Sequence, residues 1–252
     1  MARSDGRGAR DLRPVETVVG FQRNAEGSVL YRAGRTVVLC TASVDPTVPA
    51  FLLGSGKGWI TAEYQMHPRS APERRESRDG RGKAPSGRTQ EIQRLIGRAL
   101  RAAVDLESLG ERQIVVDCDV LEADGGTRTA SITGGFIALA IALDKLKKNG
   151  KLDRPVIREQ VAATSVGFLT SGLALDLVYV EDSKAQVDLN LVGTERGNVV
   201  EVQGTAEGEA IPRKELDDMV NLAMDGVIEL TKLQARVLGE AGIALESLLK
   251  PR

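Results

Sequence analysis

The 252-residue sequence contains one histidine, His67, and only two cysteines, Cys40 and Cys118. A histidine triad or a multi-histidine metal centre would have to rest on that single side chain. The cysteines lack paired spacing and lie in apolar, strand-like runs. That argues against a zinc site or a disulfide framework and marks them as small core residues in a reducing compartment. Aromatic residues make up 3% of the chain, too few for a platform on which nucleic-acid bases stack. The longest unbroken apolar run, Phe136 to Leu143, is far too short to span a bilayer. The opening "MARSDGRGARDLRP" has no apolar segment of the kind a signal peptide needs, so a cytoplasmic location is expected. With a formal net charge of −1, a polyanionic partner would have to meet a local basic patch rather than a globally basic surface. No G-x-x-x-x-G-K-[ST] loop occurs, which disfavours a nucleotide triphosphatase. What is left for chemistry is carboxylates, arginines, hydroxyls and backbone amides.

The chain begins with a basic arm carrying Arg3, Arg7, Arg10 and Arg13. "GSVLYRAGRTVVLCTASV" reads as a hairpin, two apolar runs joined at Ala33-Gly34-Arg35. From His67 to Gly87 the sequence turns polar and loses periodicity, which predicts a long functional loop. Between His67 and Arg88 it holds seven basic residues (Arg69, Arg74, Arg75, Arg78, Arg81, Lys83, Arg88) against three acids (Glu73, Glu76, Asp79). "TQEIQRLIGRALRAAVDLESLG" has Ile92, Leu95, Ile96, Ala99, Leu100, Ala103 and Leu106 at three-and-four spacing, predicting one amphipathic helix closed by Gly110. "RQIVVDCDVL" alternates as a strand, with Asp117 and Asp119 on the face opposite Ile114, Val116, Cys118 and Val120. A buried helix is predicted from about Ala130 to Lys147, four short strands from Val161 to Glu207, and a long amphipathic helix from Arg213 to Glu240, followed by a fraying tail.

Between the strand and the buried helix lies "EADGGTRTAS", residues 122–131. Two glycines let the backbone turn sharply and bring amides close to a ligand. Thr127, Thr129 or Ser131 can cap the helix that follows. Uncapped helix amides and the helix dipole favour an anion, and Arg128 adds a planar fork for two phosphate oxygens. Two readings stand side by side: a capped turn with a surface arginine, or an oxyanion site.

The longer stretch "CDVLEADGGTRTASITG" resembles the phosphate-binding segment of the ribonuclease PH family. The stretches "SDGRGARDLRPV", "EGSVLYRAGRTVVLCTASV", "GWITAEYQMHPR", "GRTQEIQRLIGRALRAAVD", "YVEDSKAQVDLNLV" and "EVQGTAEG" resemble further blocks of that family, in the family's order. The resemblance implies an α+β fold, a two-layer α/β sandwich of the ribosomal protein S5 domain 2-like type with mixed sheets packed on helices. It implies a single domain over 1–252, with subdomains at about 10–148 and 155–240. It further implies a phosphate-dependent 3′-to-5′ exoribonuclease that trims tRNA precursors, with ribosomal RNA ends as further substrates, releases nucleoside diphosphates and works reversibly. By resemblance, Arg88, Gly126, Thr127 and Arg128 hold phosphate. Asp182 and Asp188 are the catalytic acids and share a magnesium ion, Asp188 being the better candidate to protonate the leaving oxygen. Arg69, Arg74 and Arg78 guide RNA. A homo-hexameric ring is implied, with the basic arm and the helix over 89–106 as interface elements. The spacing of Asp182 and Asp188 puts both on one face if one extended strand carries them. Asp176 reads as an ordinary exposed strand acid, and His67 and Gln65 as neutral variation. The alternative is a non-catalytic RNA-binding ring subunit related to exosome proteins; the presence of all the site arginines and acids disfavours it.

Overall fold

The computed structural model describes residues 3–72, 75 and 84–251. Five strands form a mixed sheet: β1 (Val15–Val19), β2 (Gly27–Ala33), β3 (Thr36–Asp45), β4 (Trp59–Met66) and β5 (Gln113–Glu122), in the order β1-β2-β3-β5-β4. Neighbours run antiparallel except β4 and β5, which are parallel. A second sheet is antiparallel throughout and contains β6 (Val161–Leu169), β7 (Gly172–Leu175), β8 (Val187–Thr194) and β9 (Val199–Ala206), ordered β7-β6-β8-β9. The helices are α1 (Gly87–Ala103), α2 (Leu106–Leu109), α3 (Thr127–Lys148), α4 (Tyr179–Asp182) and α5 (Arg213–Glu240). This is the expected α+β architecture.

Helix α3 lies between the sheets, packed on β2 and β3 on one side and β6 on the other, while α1 covers β4 and α5 covers β6 and β8. Alternation along the strands sorts the second sheet's residues. Ala162, Val166, Leu189 and Leu191 bury against α5, so Val161, Ala163 and Val192 turn to the α3 side and join the larger core. Asp188 and Asn190 share that inner face of β8. Gly27 lets α3 approach, since a Cβ there would sit 2.0 Å from the Ala138 carbonyl oxygen. At 22 residues α3 is long and apolar enough to cross a membrane, but it is buried on nearly all sides within this core. Cys40 and Cys118 are free, buried and directly opposite on β3 and β5, as expected of core residues.

Two elements depart from the periodicity. The expected single helix breaks after Ala103. Val104 is extended and bridges to Ile157, and Asp105 then caps α2 by accepting from the Glu107 amide at 3.3 Å and the Ser108 hydroxyl at 2.6 Å. The tail beyond α5 does not fray. The amides of Val156 and Ile157 both donate to the Leu248 carbonyl, at 3.0 and 2.8 Å, the Leu248 side chain is 1% exposed, and the Lys250 ammonium bonds the Asp105 carboxylate. The same contacts explain both departures, because the tail and Ile157 together draw the backbone at Val104 out of helical geometry.

Candidate active site

The site is assembled around residues 124–126, at the join of β5 and α3. Gly125 and Gly126 adopt φ +76° and +63°, the left-handed region in which a Cβ is strained, and a Cβ on Gly125 would stand 2.6 Å from the Leu177 carbonyl oxygen. Gly126 caps α3 without any side-chain hydrogen bond. None of the candidate caps plays that part. The Thr129 hydroxyl donates back to the Gly126 carbonyl at 2.9 Å, the Ser131 hydroxyl to the Thr127 carbonyl at 2.8 Å, and the Thr127 hydroxyl pairs with the Tyr64 phenol at 2.8 Å. The first amides of a long helix are thus left without a side-chain partner, and the positive end of its dipole is available to an anion. The N-terminus of α1 differs: Ser86 caps it, accepting from the Thr89 amide at 3.1 Å. Arg88, in the first turn of α1, therefore contributes its exposed guanidinium rather than a second free helix end.

Asp182 and Asp188 do come together, although not on one strand. Asp182 closes the short helix α4, and Asp188 lies on β8 after a tight turn in which the Ala185 amide donates to the Asp182 carbonyl at 3.2 Å. Burial pushes the Asp188 carboxyl up to about 6, the neighbouring Asp182 charge adds to the rise, and Arg128, the Asn190 amide and Arg88 oppose it. Asp182 is likewise raised by burial, against the pull of Arg128 and Arg88. Two acids and two arginines therefore share one field. The Tyr64 phenol lies in it as well: burial raises it, while the Thr127 hydrogen bond, Arg88 and Arg128 pull it down. Arg128 is mostly buried at 20% side-chain exposure, and its Nη1 donates to the side-chain Oε1 of Gln203 at 2.9 Å.

The basic arm holds this assembly in place. Arg13 is 4% exposed and donates to Asp176 from Nε at 3.0 Å and from Nη2 at 2.7 Å, while its Nη1 reaches the Asp124 carbonyl at 2.9 Å. Thr36 pins the same turn, donating to the Gly125 carbonyl at 2.7 Å and accepting from the Asp124 amide at 3.0 Å. Arg3 holds Glu181, the residue before Asp182, at 2.7 Å. The Tyr179 amide donates to the Asp124 carboxylate at 3.3 Å, linking α4 to the glycine turn. Asp176 thus corrects the sequence reading: it is a buried partner of Arg13, at φ +55°, and not an exposed strand acid. The arm is an internal brace in this chain. Tyr64, Thr36 and Gln203 have no role in the sequence reading and Arg13 only that of a basic-arm residue, although all four lie in the stretches that resemble the family.

Arg69 is exposed, and its hydrogen bonds stay in its own turn, to His67 Nδ1 at 3.3 Å and the Pro72 carbonyl at 3.4 Å. Arg74 and Arg78 lie outside the described residues. A cleft of about 550 Å³ beside Tyr64 is lined by Glu63, Asp117 and Asp119. Burial and the Asp117 charge raise Glu63, while burial and the Asp119 charge raise Asp117 against a hydrogen bond from Thr41, and that acidic lining has the wrong sign for a polyanion.

A family model described as the 3′ exoribonuclease family, domain 1, matches residues 11–143, and domain 2 of the same family matches residues 159–226. The chain belongs to the 3′ exoribonuclease family. Within this family, the chain is 54% identical over 239 residues to ribonuclease PH of Crocosphaera subtropica, covering 95% of this chain and 98% of that one. It is also 54% identical to ribonuclease PH of Bacillus velezensis, covering 94% and 97% respectively. Rice (Oryza sativa) Rrp46 shares the fold with a TM-score of 0.75 at 16% identity, over 94% of this chain and 100% of that one. An Archaeoglobus fulgidus exosome structure, solved with RNA bound to its active site, does so with a TM-score of 0.73 at 22% identity, over 92% of each chain.

Proposed function

We propose that this phosphate-dependent 3′-to-5′ exoribonuclease of the tRNA-processing, nucleotidyltransferase type makes its cut with orthophosphate held between Arg88 and Arg128 at the N-terminus of α3. One observation carries the reading: Arg88, Arg128, Asp182 and Asp188 share one electrostatic field beside a long helix whose first amides lack a side-chain cap. Guanidinium forks and helix amides suit a tetrahedral oxyanion.

The bound phosphate attacks the terminal phosphodiester in line, forming one P–O bond as the bond to the 3′-oxygen of the preceding nucleotide breaks. The last nucleotide leaves as a diphosphate. The new RNA end takes a proton, and Asp188, titrating near 6, is suited to give it at neutral pH. Because the diphosphate linkage replaces a diester of similar energy, the same groups run nucleotide addition in reverse. Tyr64 fixes the Thr127 hydroxyl at the rim of the pocket.

The donor set of Asp182 and Asp188 fits magnesium: two carboxylates, each raised by burial and near enough that the Asp182 charge acts on Asp188, supply hard oxygen ligands and leave further positions for substrate phosphate and water. When bound, the ion offsets charge developing on the scissile phosphate. The proposal extends to RNA guided by Arg69, Arg74 and Arg78, to a single catalytic domain, to a homo-hexameric ring and to a cytoplasmic location. A non-catalytic ring subunit is the weaker reading, because the sequence carries the proposed phosphate-site arginines and both acids.

The test is the product. RNA with an unpaired 3′ tail is incubated with and without inorganic phosphate, and the nucleotides are separated by charge. Nucleoside diphosphates that appear only with phosphate support the reading. Monophosphates released in its absence overturn it.

A further inference from the structure

The fourth strand of the second sheet brings one more side chain to Arg128. Gln203 on β9 accepts from Arg128 Nη1 at 2.9 Å, and its own amide nitrogen donates to Glu91 of α1 at 3.0 Å and to Glu201 at 3.1 Å. Glu201 is itself clamped by Arg98 of α1, at 2.5 and 2.9 Å. The amide has only one workable orientation. Reversed, its NH₂ would meet a guanidinium that has donors only, and its carbonyl would meet carboxylates that only accept. The acceptor is therefore aimed at Arg128 by two anions behind it.

A neutral acceptor suits this position chemically. It fixes the plane of the guanidinium while leaving its charge intact. The Glu91 carboxylate comes no nearer to Arg128 than 3.8 Å, beyond hydrogen-bond reach. Four of the five N–H donors of Arg128 stay uncommitted to Gln203, which itself adds no negative charge beside them.

We propose that Gln203 is a positioning residue for the phosphate co-substrate, presenting the Arg128 guanidinium in a fixed plane without neutralising it. The proposal rests on the reading that Arg128 holds phosphate. Gln203 works through Arg128, so its loss acts on phosphate affinity more than on RNA binding or on the chemical step.

Gln203→Met keeps the length of the side chain and removes both the acceptor and the donors. Initial rates of diphosphate release are measured against phosphate and, separately, against RNA. The expected result is a KM for phosphate raised about tenfold, the ratio that accompanies loss of one hydrogen bond to a charged group. The turnover number at saturating phosphate and the KM for RNA should stay within about twofold of wild type. The thermal midpoint without phosphate should not move, while the rise in midpoint on adding phosphate should shrink. If Gln203→Met does not fold, Gln203→Ala replaces it. An unchanged KM for phosphate overturns the proposal, and so does a joint loss of turnover, RNA affinity and thermal midpoint, which would mark a structural role. Phosphate-independent hydrolysis by the wild type would remove the underlying reading, and this proposal with it.

Discussion

Asp188→Asn should inactivate the protein and also make it more stable. The carboxyl titrates near 6 instead of 3.8 because burial and the Asp182 charge disfavour its ionised form. A group raised in the folded state contributes stability that is complete below its unfolded value and is lost as pH rises through its folded value. For Asp188 that window runs from about pH 4 to about pH 6. A shift of roughly two units corresponds to about 3 kcal/mol at most, reduced to about 2 kcal/mol because the site is only partly shielded from water. An amide has no charge to lose. In chelator and without phosphate, the variant should therefore melt about 4–8 °C above wild type at pH 7.5, given about 2–4 °C per kcal/mol for a chain of this size. The gap should close on titration to pH 4. Differential scanning fluorimetry at matched protein concentration reads it directly. A gap that is the same at both pH values, or a variant that retains diphosphate release, would show that Asp188 does not carry the strained charge assigned to it.

Arg128→Ala should remove phosphate-dependent turnover while retaining most affinity for RNA, checked by fluorescence anisotropy with a labelled 3′ tail. Leu248→Ala should lower stability by about 2–5 kcal/mol, the usual cost of truncating a fully buried leucine, and denaturant unfolding measures this. Arg13→Met breaks the buried pair and leaves the Asp176 carboxylate, 7% exposed, with only Arg7 at 3.6 Å and the backbone amide of residue 13, which should cost about 3 kcal/mol. The loss should be smaller in the double variant Arg13→Met, Asp176→Leu, as a double-mutant cycle would record.

The sequence shows most of what is local. The hairpin over β2 and β3, the alternation of β5 and the bounds of α5 all follow from side-chain period and from Pro212 just before the helix. The break at Val104 does not, because α1 is apolar at helical spacing straight through it, and the residues that override this, Ile157 and Leu248, lie far along the chain. Asp176 fails for a similar reason. A lone acid in a strand-rich region looks solvated until its partner, Arg13, is placed beside it across 163 residues. The acids Asp182 and Asp188 are legible as a pair through family resemblance, but the geometry offered for them, one extended strand, gives way to a turn of helix and a strand. The glycine turn is legible as a sharp join of strand and helix, whereas the hydroxyls that could have capped α3 bond elsewhere, those of Thr129 and Ser131 back to carbonyls and that of Thr127 to Tyr64.

The clasp of residues 248–250 on Ile157 and Asp105 also has a consequence in time. With synthesis at about 5–20 residues per second, some 5–20 s separate the emergence of residue 157 from that of residue 249. Until then the amides of Val156 and Ile157 lack the Leu248 carbonyl and face water. The contact that ends α1 at Val104 is therefore completed only after α5 has been made.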